Sequence, residues 1–303
     1  MRRLLFALCL GLMTVAVSAK ETVTIYYAFS PADTMANYSR SLVTEANRIQ
    51  DKYNFVFDTK PGAGNTVAAN FVKNTPNTIL ATSSAFFLRP VFFPNESYNV
   101  EDFKELMPQC SAPMGIVSAK FKSWREVPKD AQLNIGTSGL GVTTHVVASQ
   151  IATQYPNMHA VAFKSTTDSL VSMAGGSIEF SVNFIHDAEA WSQDGNKVKV
   201  NVLGVTGDQP INGHPTLLSQ GFPALTTNLS APHHLVIPTS VSDTQAQAWR
   251  DILVKAAKSK EVRDSYAIDH CVPLSDMPDN QIQPWFRAQN VNWNKLSAGV
   301  KLK

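Results

Sequence analysis

At 303 residues the chain is long for a single hydrophobic core, and with 44% hydrophobic and 17% charged residues it has the composition of a folded protein. Its 26 basic and 24 acidic residues give a formal net charge of +2. That balance lacks the basic excess that nucleic acid or an anionic membrane surface requires, so neither is expected as a partner.

Taken in chain order, the first segment reads as an export signal. Arg2 and Arg3 precede an almost wholly apolar run from Leu4 to Val17, and Val17-Ser18-Ala19 sets small residues where a signal peptidase reads them. A run of roughly 14 residues falls short of the ~20 that cross a bilayer. Cleavage after Ala19 and a periplasmic location follow as expectations, with residues 1–19 as signal peptide. Cys9 lies inside the run behind Leu8, a setting unsuited to lipidation. Removal of this segment leaves as many basic as acidic residues and two cysteines, Cys110 and Cys271. In an oxidising compartment these form either a disulfide or two isolated buried thiols; a disulfide is the expectation.

Thr22 to Tyr27 reads as a buried strand, followed by a short loop and a helix started by Asp33 or Thr34, with Met35, Tyr38, Leu42, Ala46 and Ile49 at helical spacing. The same unit recurs. Phe55 to Asp58 leads through Pro61-Gly62-Ala63-Gly64 into a helix over Thr66 to Lys73, and Thr78 to Thr82 leads into Ser83-Ser84. Leu133 to Gly136 leads through Thr137-Ser138-Gly139-Leu140-Gly141 into a helix carrying Val146, Val147 and Ile151. Such alternation predicts an α/β protein of parallel sheets flanked by helices. Further strands are expected over 160–163, 180–184, 198–206 and 235–237, and helices over 244–258 and 283–296, with a long connection from Gly207 to Pro232. The order suits one sheet domain built from both termini, 20–112 plus 232–303, and a second inserted over 113–231.

Four of the strand-to-helix loops are rich in Ser, Thr, Asn and Gly: 30–34, 62–66, 82–84 and 138–144. At the carboxyl ends of parallel strands such loops gather helix amino termini, whose free N–H groups and partial positive charge favour anions. Rival motifs fail. After Gly62-Ala63-Gly64 the third glycine of a dinucleotide fingerprint falls on Val67, and a nucleophile elbow at Gly136-Thr137-Ser138 lacks its second glycine because Leu140 stands there. None of the seven histidines forms an H-x-x-x-H or H-E-x-x-H pair, and the adjacent His233 and His234 would point to opposite faces of a strand, so no metal is expected. His145, at a helix start, reads as a ligand contact or as a partner of a backbone group. Lys164, just past a strand end, is either a partner for a distal carboxylate or solvated. Few cations are candidates for a cleft, so an anion should be held mainly by hydrogen-bond donors. Asn183 on an apolar strand needs a partner, because burying it unpaired would cost ~1–3 kcal/mol.

Six segments in this order resemble the extracytoplasmic solute receptors of tripartite tricarboxylate transporters, the Bug-type binding proteins. They are Asp33-Thr34-Met35-Ala36; Lys60-Pro61-Gly62-Ala63-Gly64 with Ala68-Ala69; Thr137 to His145; Phe163-Lys164; Ala174 to Phe180; and Pro215-Thr216-Leu217 through Gly221-Phe222-Pro223. The resemblance implies a type II periplasmic-binding-protein fold, two doubly wound α/β domains joined by hinge strands, that closes on a small carboxylate and delivers it to membrane transporter subunits. It implies a monomer with no cofactor and no catalysis; an exported hydrolase or a ligand-sensing subunit for a membrane signalling system is the alternative. Carried onto this chain, the ligand-binding positions are Ser30, Ala32 and Asp33 in the first loop; Asn65; Thr82, Ser83 and Ser84; Ser138, Gly139, Val142 and Thr143; and Lys164 and Asn183. Phe29 and Ser30 stand where the family carries paired glycines, Asn65 and Ser165 replace further glycines, and Asn183 replaces a frequent aspartate. Phe29 either packs beneath the first loop or enters the cleft.

Overall fold

The computed structural model describes residues 20–31, 33–95, 98–193, 198–222 and 230–302. The signal-peptide reading, Ala32 and Pro223 lie outside the described residues.

In strand β1 (Glu21–Tyr27), Val23, Ile25 and Tyr27 are buried, and their alternation fixes the face turned to the core. Helix α1 (Thr34–Arg48) lays Tyr38, Leu42 and Ala46 over that face. There follow β2 (Tyr53–Thr59), α2 (Thr66–Lys73), β3 (Thr78–Ser83), α3 (Ala85–Phe92), β4 (Phe103–Ala112) and β5 (Met114–Ser118). Next come β6 (Leu133–Thr137), α4 (Thr143–Ala152), β7 (Met158–Ala162), α5 (Thr166–Ala174), β8 (Phe180–Phe184), α6 (Ile185–Gln193) and β9 (Asn201–Val205). The chain ends with β10 (Ala231–Pro238), α7 (Asp243–Ala257), α8 (Lys260–Ile268), β11 (Val272–Pro273) and α9 (Asp279–Ser297).

Two sheets result, ordered β11-β4-β10-β3-β1-β2 and β7-β6-β8-β5-β9. They are mixed rather than parallel throughout. β1, β2 and β3 are parallel, as are β6, β7 and β8, but β10 runs antiparallel to β3 and β4, and β5 runs antiparallel to β8 and β9. The exceptions carry the chain between sheets: β4 ends at Ala112 and β5 begins at Met114, while β10 re-enters the first sheet. A strand arriving from another sheet makes no helical crossover, so the parallel βαβ rule does not bind it.

Several elements differ from the sequence expectation. β4 was not expected, because Lys104, Glu105, Pro108 and Gln109 interrupt its apolar pattern; the fold buries Glu105 and Gln109. Pro90 hides α3, whose residues Ala85 to Arg89 are all buried. The strand expected over 198–206 shortens to β9, and the one expected over 235–237 lengthens to eight buried residues.

β10 holds the polar centre of the first sheet. Its adjacent histidines face opposite sides: His234 packs on Phe86, Phe87, Trp285 and Phe286, and His233 on Tyr38 and Phe184. His234 Nδ1 lies 2.8 Å from Glu105 Oε2, and its Nε2 lies 3.3 Å from the Ser83 carbonyl. One imidazole thereby ties β10 to both neighbouring strands. The Tyr38 hydroxyl donates to Asp269 at 2.6 Å, and a disulfide joins Cys110 on β4 to Cys271 just after α8.

Replacing Cys110 and Cys271 together by serine should lower the unfolding free energy by about 2–5 kcal/mol, read from denaturant titration, because the crosslink closes a loop of 161 residues. An unchanged midpoint would mean the bond contributes nothing. A second expectation concerns acid. Burial, helped by the neighbouring His234, lowers the His233 pKa from 6.5 to about 3. Between those values the unfolded chain binds a proton that the folded chain refuses. The stability His233 contributes is thus whole above pH 6.5 and is lost as pH falls, by at most about 1.4 kcal/mol per pH unit. Asp33, raised from 3.8 to about 6, acts in the opposite sense between those two values. Stability of His233→Leu should fall less than that of the parent from pH 7 to pH 4; equal losses would refute the assignment.

Candidate functional site

The carboxyl ends of the parallel strands in both sheets open onto a cavity of about 670 Å³. Each loop there leads into a helix, so the amino termini of α1, α2, α3, α4 and α5 converge on one space with their unsatisfied N–H groups. Its floor includes Met114, Phe184 and Ala231, on or beside the strands that link the sheets.

Nine of the positions marked from sequence line the cavity. Phe29, Ser30 and Asp33 come from the β1–α1 loop, Ser83 from the end of β3, Ser138, Gly139, Val142 and Thr143 from the β6–α4 loop, and Lys164 from the β7–α5 loop. Four others stand behind the wall. Asn65 is fully buried in a left-handed conformation (φ 88°), which turns its Oδ1 back to accept from Thr82 Oγ1. Ser84 and Thr143 share a hydrogen bond between hydroxyls, a direct link from α3 to α4 and so from one sheet's helices to the other's. Asn183 donates to Ser181 Oγ, which pairs with Ser169, so its amide braces α5 against β8. His145 also stays out of the cavity; buried and shifted toward its neutral form, it accepts from the Gly141 N–H at 3.3 Å.

Phe29 does both things the sequence allowed. It is half-buried, rests on Tyr27 with ring centroids 5.6 Å apart, and presents its remaining surface to the cavity. Asp33 occupies the N-cap position of α1 without capping it. Its carboxylate instead accepts from the Tyr27 hydroxyl at 3.3 Å and from the Ser30 backbone N–H. Burial above all, and then the charge of Asp187 on α6, raise its pKa to about 6, against the lowering effect of those two donors.

Besides Lys164 the cavity is lined by a second cation that the sequence reasoning missed, Arg89. It is 8% exposed, and its guanidinium lies over the Phe93 ring, 3.5 Å from the centroid. Its Nε donates to Thr66 Oγ1, at the start of α2, at 3.2 Å. A Cβ on Gly64 would lie 3.6 Å from Arg89 Cδ and 3.8 Å from Val142 Cγ1, so the arginine sits where the Gly62–Asn65 loop meets the start of α4. One signal for it was readable: a lone arginine within Ala85-Phe86-Phe87-Leu88-Arg89-Pro90-Val91-Phe92-Phe93 enters an apolar environment only with compensation. Asp187, also missed, follows a strand in a stretch without helical periodicity.

Gly141 shows how closely the two halves approach. With φ 68° it adopts a conformation that favours glycine, and a Cβ there would fall 2.9 Å from the Phe93 ring and 3.1 Å from Phe92. Among the described residues no group of three or more His, Cys, Asp or Glu could hold a metal ion, and no helix is long and apolar enough to cross a membrane.

Comparison with known proteins places the chain. Residues 39–292 match the family described as tripartite tricarboxylate transporter family receptor. No curated protein matches the chain. Among solved structures, the periplasmic binding protein BugD is similar with a TM-score of 0.81 at 17% identity, covering 94% of this chain and 99% of that one. Rpa4515 of R. palustris, solved with adipate, gives 0.79 at 18% identity, covering 92% and 96%. MatC of Rhodopseudomonas palustris, solved with malate, gives 0.77 at 16% identity, covering 91% and 98%. The chain belongs to the tripartite tricarboxylate transporter receptor family.

The Asp33 assignment is open to titration by NMR of the side-chain carboxyl. Asp187→Asn should move its pKa down by removing a neighbouring charge, and Tyr27→Phe should move it up by removing a donor. Shifts of the same sign in both variants would contradict the described geometry.

Proposed function

We propose that this receptor-family member captures a small carboxylate in the cavity between its sheets and hands it, unchanged, to a membrane transporter. Arg89 carries the reading. A buried guanidinium at the meeting point of two helix amino termini gives a positive potential in a place of low dielectric. Ser83, Ser138 and Thr143 add hydroxyls to the lining, and Lys164 adds an exposed cation. The adipate bound to Rpa4515 and the malate bound to MatC, two proteins of the same fold, support a carboxylate as the ligand class.

Binding without turnover is the reading the family favours, since its members are described as transporter receptors. In this account the domains are 20–112 with 232–303, and 113–231. The chain acts as a periplasmic monomer after cleavage behind Ala19, and the crossings between the sheets, at 112–114 and where β10 begins, absorb domain closure.

Isothermal titration against mono-, di- and tricarboxylates tests the proposal, and no heat with any of them would overturn it. For the tightest ligand, Arg89→Gln should cost about 2–5 kcal/mol, as expected when one partner of a buried charged hydrogen bond is removed. Lys164→Gln should cost only about 0.2–1 kcal/mol, because its charge is exposed and screened.

A further inference from the structure

The two halves of the molecule also meet away from the cavity lining, at Glu189. This residue lies on α6, a helix laid against β5, β8 and β9, and its carboxylate receives polar groups from both sides of the junction. From its own half come Asn212, whose amide donates to Oε1 at 2.9 Å, and His214, whose Nε2 lies 3.3 Å from the same oxygen. From the other half comes His270, with Nε2 3.2 Å from Oε2.

His270 is held in place by its backbone. It stands just past the end of α8 in a left-handed conformation (φ 54°), where its own N–H donates to the Ala267 carbonyl and the Cys271 N–H to the Tyr266 carbonyl. Glycine or asparagine is the usual residue at such a helix end, because a Cβ is crowded there. The next residue, Cys271, is bonded to Cys110 in β4. Asn212 is left-handed as well (φ 49°), so two strained residues, one from each half, turn their side chains onto one carboxylate.

We propose that this cluster is a proton-sensitive latch between the two halves, tightened when His270 becomes an imidazolium and slackened when it is neutral. Its Nε2 has an acceptor, Glu189, and a donor, Asn212, each 3.2 Å away. A neutral ring can serve either, whereas an imidazolium can only donate, and its bond to a carboxylate is about twice as strong as a neutral one. Imidazole is the side chain whose charge ordinarily changes between pH 5 and 8. Glu189 supplies the opposing charge: burial raises its pKa, but Asn212, His270 and His214 together hold it below the usual carboxylate range. The neighbouring groups act in the same sense. Asp269, raised by burial, is bonded to the Tyr38 hydroxyl and feels the charges of His186 on α6 and of His270, so a protonated His186 adds a second attraction across the junction. Asp187, between His186 and Glu189, borders the cavity instead. Glu189, His214 and His270 are all partly exposed, so protons reach them without the cavity opening. The latch adds to the domain closure of the proposed function and needs no ligand.

Small-angle X-ray scattering of the unliganded protein from pH 8 to pH 5 tests it. The radius of gyration should fall with pH as the joined state gains up to about fivefold over the open one, the worth of one partly exposed ion pair. Glu189→Gln should abolish this response. His270→Asn should do the same, since asparagine tolerates the left-handed backbone; circular dichroism checks that both variants fold. His214→Gln should leave the response in place, because His214 and Glu189 belong to the same half. A radius that contracts when a carboxylate binds but ignores pH would overturn the latch and leave closure standing. A pH response that survives Glu189→Gln would also overturn it. A radius unmoved by pH or by any carboxylate would remove domain closure as well.

Discussion

A guanidinium taken out of water must be compensated where it lies, and the Arg89 site is organised around that requirement. Its Nε is satisfied by Thr66 and its flat face by Phe93. Each of these partners is also a piece of the cavity wall or a helix start facing it. Helix amino termini beside the guanidinium add to its positive potential, which in the proposed reading favours a carboxylate there.

The second half of the molecule meets this site through short contacts. Ser84 bonds to Thr143 across the gap, Gly141 rests against Phe92 and Phe93, and Val142 approaches Gly64. Polar hydroxyl pairs and a glycine turn can separate at small cost compared with an interlocked apolar face. The linking strands are the opposite. β10 is buried along its whole length and is fastened through His234 to Glu105 and Ser83, with the disulfide holding β4 from the other side. Rigid strands beneath a polar mouth are what a receptor needs if it opens by rotation about its links.

Much of this was legible in the residues, for identifiable reasons. Strands such as Thr22 to Tyr27 and helices such as Thr66 to Lys73 announced themselves because their apolar period matched their element and their loops held Gly, Ser and Thr. The hydroxyl loops also pointed to the cavity, since strand-end loops of an α/β sheet share one side. What escaped depended on packing between distant segments. β4 alternates poorly because its acid is matched by His234, 129 residues away, and α3 reads as broken because Pro90 lies within it. Asn65, Thr82, Ser84 and Asn183 carried the right chemistry in the right loops, yet their side chains turn to protein partners. Orientation of a side chain is a property of its backbone conformation and its neighbours, and a left-handed residue such as Asn65 cannot be recognised from spacing alone.

The most direct measurement of the central claim is a crystal structure of the protein grown with the carboxylate that binds it most tightly. The account predicts the carboxylate in the cavity between the sheets, with its oxygens within hydrogen-bond distance of the Arg89 guanidinium and of the α4 amino terminus. A carboxylate bound in that cavity but away from Arg89, or bound at another surface, would contradict it.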